Sequence, residues 1–216
     1  MPVREIITPQ NPVLRKKAHK ITKFDDSKLQ TLIEDMIETL LDAPGVGLAA
    51  PQVAASQRVI VVRLPDDEQS KEEYGTDAGV LHVVINPEII RASREMVDGI
   101  EACLSIPGYF GSVDRHVAVT VRGQDRQGKM VRIKARDWLA RVFQHEIDHL
   151  DGVLFIDRAT ELWRATKRRD GDGAAPAEPD PLEGILRSVE EVEEIDEEDV
   201  IEEVSEETPG SANPAP

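Results

Sequence analysis

Only one cysteine, Cys103, occurs in the 216 residues, so no internal disulfide can form and a secreted, disulfide-stapled scaffold is excluded. Aromatic residues are scarce at 4%, against 40% apolar residues in all, enough for one core of ordinary size. No segment approaches the ~18 consecutive apolar residues of a membrane span. The opening MPVREIITPQNPVLRKKAHK is broken by prolines and charges and lacks an apolar stretch long enough for an export signal. The expectation is a soluble, cytoplasmic protein in a reducing compartment, with no membrane partner.

Basic residues are nearly missing from one end. Residues 171–216 hold 16 acids and a single base, Arg187, for a charge of −15; residues 1–170 hold 26 acids and 25 bases, for −1. The formal net charge of −16 therefore belongs almost wholly to that end. From Gly171 the composition turns to Gly, Ala, Pro and Glu without an aromatic, and such a segment cannot offset its ordering entropy. We read a folded domain over residues 1–168 and an acidic low-complexity tail over 169–216, disordered or partly helical. The helical element of that reading rests on Leu182, Ile185, Leu186, Val189, Val192 and Ile195, which recur at three- and four-residue steps. An acidic end also argues against DNA as a partner and against docking of the tail on RNA.

What is present upstream alternates between helical and strand periods. Leu29, Leu32, Ile33, Met36, Ile37, Leu40 and Leu41 keep helical spacing after the cap signal Asp25-Asp26-Ser27, and Pro44-Gly45 ends the run. RVIVVRL (58–64), LHVVIN (81–86) and IEACLSI (100–106) read as strands, separated by a polar loop from Pro65 to Gly79 and by Pro87 and Pro107. HVAVTVRG and KMVRIKA alternate around QDRQ, which predicts a hairpin. Trp138, Leu139, Val142, Phe143, Ile147 and Leu150 mark a second helix closed by Gly152. The fold class is α+β: antiparallel strands packed around a central helix, with an N-terminal helix.

On that second helix QHEIDH places His145 and His149 four residues apart with Glu146 between them. Positions i and i+4 stand one above the other, so both rings can reach one ion, and Trp138, Val142, His145 and His149 share a face. Two imidazoles need a third protein ligand, with a fourth position left open in a catalytic site. Cys103 is the stronger candidate, because a thiolate binds zinc or ferrous iron well; Glu161 is the downstream alternative. GVGLAAPQ (45–52) matches a nucleotide fingerprint in its glycines but leaves a helix rather than a strand, which argues against a dinucleotide site. Its glycines permit a turn and close backbone approach, and Gln52 offers an amide N–H suited to an oxyanion.

GVGLAAPQ, EACLS and QHEIDH, in this order and at these separations, resemble the three signature motifs of the peptide deformylases, which remove the formyl group from the N-terminal methionine of new proteins. NPVLRKKA and HLDGVLFIDR are similar to that family as well, and the likeness covers about residues 1–165. The resemblance implies Cys103, His145 and His149 as metal ligands, Glu146 as the acid-base residue, and Gln52 with the Leu104 backbone N–H as donors to the formyl oxygen. It also implies that Val46, Gly47, Ala102, Trp138 and Val142 bind the N-formylmethionyl peptide. The implied cofactor is one divalent ion, ferrous iron in the cell, with zinc, nickel or cobalt able to substitute; the implied partner beyond substrate is the ribosome exit region, visited transiently. Ala102 departs from the glycine usual in the family, so its φ must be negative and its methyl narrows the site. Arg141 shares the helix face and is expected to turn aside to solvent, while Arg115 and Asp148 are expected to pair. Two rival readings are a metallopeptidase using Glu161 as third ligand, and an inactive homologue acting as a binding module.

Overall fold

Apolar side chains at three- and four-residue steps turn one face of the first long helix inward. In α1 (Ser27–Asp42), Leu29, Leu32, Ile33, Met36 and Leu40 are buried, and the Asp26 side chain caps the helix by accepting from the Lys28 N–H. The structure, a computed structural model, describes residues 2–166 and 193–196. The elements after α1 are β1 (Gly47–Ala49), β2 (Val59–Arg63), α2 (Glu68–Tyr74), β3 (Leu81–Ala92), β4 (Met96–Val97) and β5 (Ile100–Cys103). They continue with β6 (Ile106–Ser112), β7 (Arg115–His116), β8 (Ala118–Gln124), β9 (Met130–Arg136), α3 (Asp137–Asp151), β10 (Glu161–Thr166) and β11 (Glu193–Asp196).

Five strands form an antiparallel sheet in the order β1-β2-β3-β8-β9, and a second sheet runs β11-β10-β6-β5 with only the β10–β11 pair parallel. β4 and β7 make a short antiparallel ribbon. The hydrophobic pattern of each strand reports how many of its faces are covered. β2 is apolar from Val59 to Val62 because Val59 and Val61 pack with α1 while Ile60 and Val62 pack with α3. Each such side chain contributes roughly 1.5–3 kcal/mol relative to exposure. β8 and β9 alternate instead: Val119, Val121 and Ala135 face the α3 cluster, and their neighbours face outward.

α3 is therefore the central helix, buried along most of its length by Leu139, Ala140, Phe143, Ile147 and Leu150. Its C-terminal end is held by Arg58, which donates to the Leu150 carbonyl (3.1 Å) and to Asp151 (2.8 Å), a cation where the helix dipole favours one. Gly152 closes the helix at φ 78°, and a Cβ there would lie 2.9 Å from the Arg15 backbone.

The α+β architecture agrees with the sequence reading, with differences in detail. The strand expected to end at Asn86 runs on to Ala92, since Pro87 sits where the β3–β8 register shifts and needs no ladder hydrogen bond. The polar loop Pro65–Gly79 contains α2, capped by Asp67 through the Ser70 N–H and hydroxyl. IEACLSI is not one strand, because Leu104 and Ser105 form the turn from β5 into β6. Of the tail helix expected over 182–195, residues 182–192 lie outside the described residues, and Ile195 falls in strand β11. Among the described residues no helix is long and apolar enough to cross a membrane.

Replacing Gly152 by Ala should lower stability by about 1–2 kcal/mol, because the left-handed conformation is strained for any residue with a Cβ. A shifted denaturant midpoint at unchanged slope is the expected result; an unchanged midpoint would show that α3 ends differently.

Candidate metal centre

Two elements distant in the chain supply the donor atoms. On β5 the two-residue period turns Glu101 and Cys103 to the buried side and leaves Ala102 exposed. On α3 the four-residue step stacks His145 and His149, whose ring centroids lie 4.9 Å apart. Cys103 Sγ is 3.2 Å from His149 Nε2, and one ligand atom from each of Cys103, His145 and His149 lies within 4.8 Å of the others. All three side chains are buried, at 7%, 9% and 1% exposure. A thiolate and two imidazoles at this spacing are a donor set that fits one zinc- or iron-like divalent ion. Glu161, the alternative third ligand, is exposed on β10 opposite Ser112 and is not in this cluster.

Glu101 holds the arrangement. Its Oε2 accepts from His145 Nδ1 (2.8 Å) and Arg115 Nη2 (3.0 Å), and its Oε1 from Arg115 Nε (2.8 Å) and Arg141 Nη1 (3.0 Å). Burial pushes this carboxyl up, but the Arg115 guanidinium and the His145 N–H outweigh it and hold it well below the usual carboxylate range. With Nδ1–H committed to Glu101, the Nε2 lone pair of His145 is the one free to bind an ion. Burial depresses His149, whereas the contacts of His145 with Cys103 and Glu101 overcome its burial and raise it. Arg115 also donates to Asp148 (2.6 Å), as expected from the sequence, and Asp148 is gripped further by Arg158 (2.6 and 2.7 Å).

Arg141 does not turn to solvent. It is buried at 6% exposure and donates to the carbonyls of Val97 (2.8 Å), Gly99 (3.1 Å) and Val113 (2.6 Å) as well as to Glu101. Backbone brought in from the β4–β5 and β6–β7 connections supplies the acceptors a buried guanidinium requires. Sequence reasoning missed Glu101 as well, although its position two before Cys103 on a strand was the available signal.

Beside the ligand cluster lies a cavity of about 670 Å³. Val46, Gly47, Ala102, Trp138 and Val142 all line it, together with Gln52, Cys103, Leu104, His145 and Glu146. Ala102 has no positive φ, and its methyl faces this space. Glu146 is buried, and its Oε2 has no hydrogen-bond partner among the described residues. Burial raises its carboxyl to about 7, with His145 pulling down and Glu101 pushing up. Gly47 makes the room: a Cβ there would lie 2.8 Å from Glu146 Cδ and 2.9 Å from Cγ. Gln52 is oriented by its Oε1, which accepts from the Ala49 N–H (2.8 Å), so Nε2 points to Cys103 Sγ (3.6 Å) and Ser105 Oγ (3.3 Å). The arrangement can bind an apolar side chain, move a proton at Glu146 and donate hydrogen bonds from Gln52.

Residues 3–165 match the family model described as Polypeptide deformylase. The peptide deformylase of Thermomicrobium roseum is 49% identical over 168 residues, covering 78% of this chain and 91% of the relative. That of Natranaerobius thermophilus is 45% identical over 164 residues, covering 76% and 97%. Among solved structures, peptide deformylase from Thermotoga maritima aligns with a TM-score of 0.65 at 41% identity, covering 74% of this chain and 99% of its own. The Met-Ala-Ser-bound class I type b peptide deformylase from Acinetobacter baumannii aligns at 0.66 and 35% identity, covering 73% and 98%.

Replacing Glu101 by Gln should weaken divalent-ion affinity about 10- to 100-fold, since the neutral amide no longer orients and polarises His145. Competition against a chromogenic chelator measures this; wild-type affinity in a folded Glu101→Gln protein would contradict the role given to the carboxylate.

Proposed function

Because the chain belongs to the polypeptide deformylase family, metal-dependent hydrolases that remove the N-formyl group from nascent peptides, we propose which of its residues perform that reaction. Cys103, His145 and His149 hold the ion. When bound, the ion supplies Lewis acidity, which brings the pKa of water from 15.7 toward about 7 and draws charge from a carbonyl oxygen. The observation that carries the assignment is the cluster of these three donors, of which Cys103 and His145 line one apolar cavity together with Glu146, whose Oε2 has no partner among the described residues.

Glu146 takes a proton from the attacking water and delivers it to the amine nitrogen as the formyl C–N bond breaks, so that formate and a free N-terminus leave. Gln52 Nε2 and the Leu104 N–H donate to the formyl oxygen while it carries negative charge, each donor worth about 3–4 kcal/mol. Val46, Trp138 and Val142 surround the methionine side chain; Gly47 and Ala102 let the peptide backbone approach the strands on either side. The Met-Ala-Ser tripeptide bound in the Acinetobacter baumannii relative supports a methionine in this cavity. A third ligand at Glu161 has no support, since that residue stands on another strand outside the cluster.

The finer assignments rest on the family and on the donor chemistry. Ferrous iron is the metal in the cell, with nickel, cobalt or zinc as substitutes. The enzyme works in the cytoplasm, passing transiently by the ribosome exit where its substrates emerge. Catalysis belongs to residues 1–168, in keeping with a family match that ends at residue 165, and the acidic tail over 169–216 lies outside it.

Formate release from formyl-Met-Ala-Ser tests the reading. Glu146→Gln should keep its metal and lose about 10²- to 10⁴-fold in turnover; a metal-loaded variant of wild-type activity would refute the role of Glu146. The iron form should lose activity in air, through oxidation of the iron and its thiolate, while the nickel form keeps it. Equal decay of both forms in air and under argon would contradict the assignment of iron.

A further inference from the structure

α3 covers the β3-β8-β9 part of the large sheet on one side only, so the other side is set by the outward half of each strand. Cross-strand register puts Arg122 opposite Arg132, Thr120 opposite both Lys134 and Arg91, and Ala118 opposite Arg136. Residues directly opposite share a face at about 5 Å, and successive outward residues on one strand are ~7 Å apart. Five cations therefore occupy one face. Its acid, Glu88, is already shared between Arg122 (2.7 Å) and Lys20 (3.0 Å), which adds a sixth positive charge. Arg91, Arg132, Lys134 and Arg136 are exposed, and none has an acidic partner among the described residues. Like charges at such spacing repel. Residues 1–170 carry only −1 overall, so this is a segregated field rather than a generally basic protein.

The same chain carries the complementary charge. Seven acids lie between Glu197 and Glu207, and no base follows Arg187. β11 pairs with β10, and its last residue, Asp196, immediately precedes this acidic run in the sequence. The eleven residues from Glu197 to Glu207 span up to about 40 Å when extended, against a radius of gyration near 15 Å for a body of this size. A tethered ligand acts at an effective concentration of about millimolar, which a free polyanion must exceed.

We propose that the acidic segment 197–207 docks on the outward cationic face of β3, β8 and β9, as an intramolecular electrostatic cover. The cover closes this face to other polyanions. RNA, the obvious competitor for a row of arginines near a site of protein synthesis, gains access only where it displaces a ligand carried on the same molecule.

Zero-length carbodiimide coupling of the full chain tests the proposal, since it joins lysine amines only to carboxylates in contact. In the monomeric product at low salt, Lys134 should couple to peptides from 197–207 at least about fivefold more than the exposed off-face Lys28 and Lys71. That excess should collapse near 0.5 M NaCl, where the screening length is ~4 Å. The double variant Arg132→Gln, Arg136→Gln keeps the Lys134 amine and should lose most of the excess. Equal coupling at the three lysines, or coupling of Lys134 only between two copies, would overturn the proposal. In a second arm, changing the seven acids to their amides should raise affinity for a labelled oligouridylate about tenfold or more. Binding of that probe by the unaltered chain with no gain on neutralisation would make RNA the occupant and overturn the intramolecular cover.

Discussion

The sulfur of Cys103 and the ring of His149, separated by 46 residues in the chain, meet at 3.2 Å in the buried seam between β5 and α3. Everything chemical about the fold turns on this contact, because neither element can assemble an ion site alone. A helix offers two imidazoles at one step, and a strand offers a thiolate beside a carboxylate; only their packing joins the donors. Such a seam is costly to bury in polar groups. The cost is partly offset by pairing: Glu101 accepts from two guanidiniums and a ring N–H, and Asp148 bridges Arg115 to Arg158, while His149 Nδ1 and Glu146 Oε2 have no partner among the described residues. An ion that binds here adds its binding energy to folding.

The apolar side of the site follows from the same seam. Because β5 alternates, the strand that buries Glu101 and Cys103 leaves Ala102 on the cavity wall, while α3 adds Val142 and Trp138 about one and two turns before His145. β1 closes the space from the opposite direction, where Gly47 leaves room for the Glu146 side chain and Gln52 is turned toward the sulfur by the Ala49 N–H. The donor cluster and the apolar cavity wall are thus supplied by one strand and one helix together.

Much of this was legible in the sequence. The 3.6 period of α1 and α3, the unbroken apolar run of β2 and the alternation of β8 and β9 correspond to elements covered on one or both sides, which is what periodicity encodes. The meeting of Cys103, His145 and His149 in one cluster was legible too, since the two histidines stack within one helix and Cys103 was the strong donor outside it. Glu101 went unassigned because a carboxylate on a strand is ordinarily exposed, and its guanidinium and imidazole partners lie 14 to 44 residues away in sequence. Arg141 was misread for a different reason: an arginine on an apolar face is usually solvated, and its carbonyl acceptors come from 28 to 44 residues away in sequence. α2 escaped because seven residues hold too little periodicity to stand out from a polar loop.

Metal-edge X-ray absorption on the nickel- or zinc-loaded protein reads the identity of the three donors most directly. One sulfur scatterer at about 2.3 Å and two imidazole nitrogens at about 2.0–2.1 Å are expected, with the sulfur shell absent from a Cys103→Ser protein. A shell of nitrogen and oxygen alone in the unaltered protein would contradict that donor set.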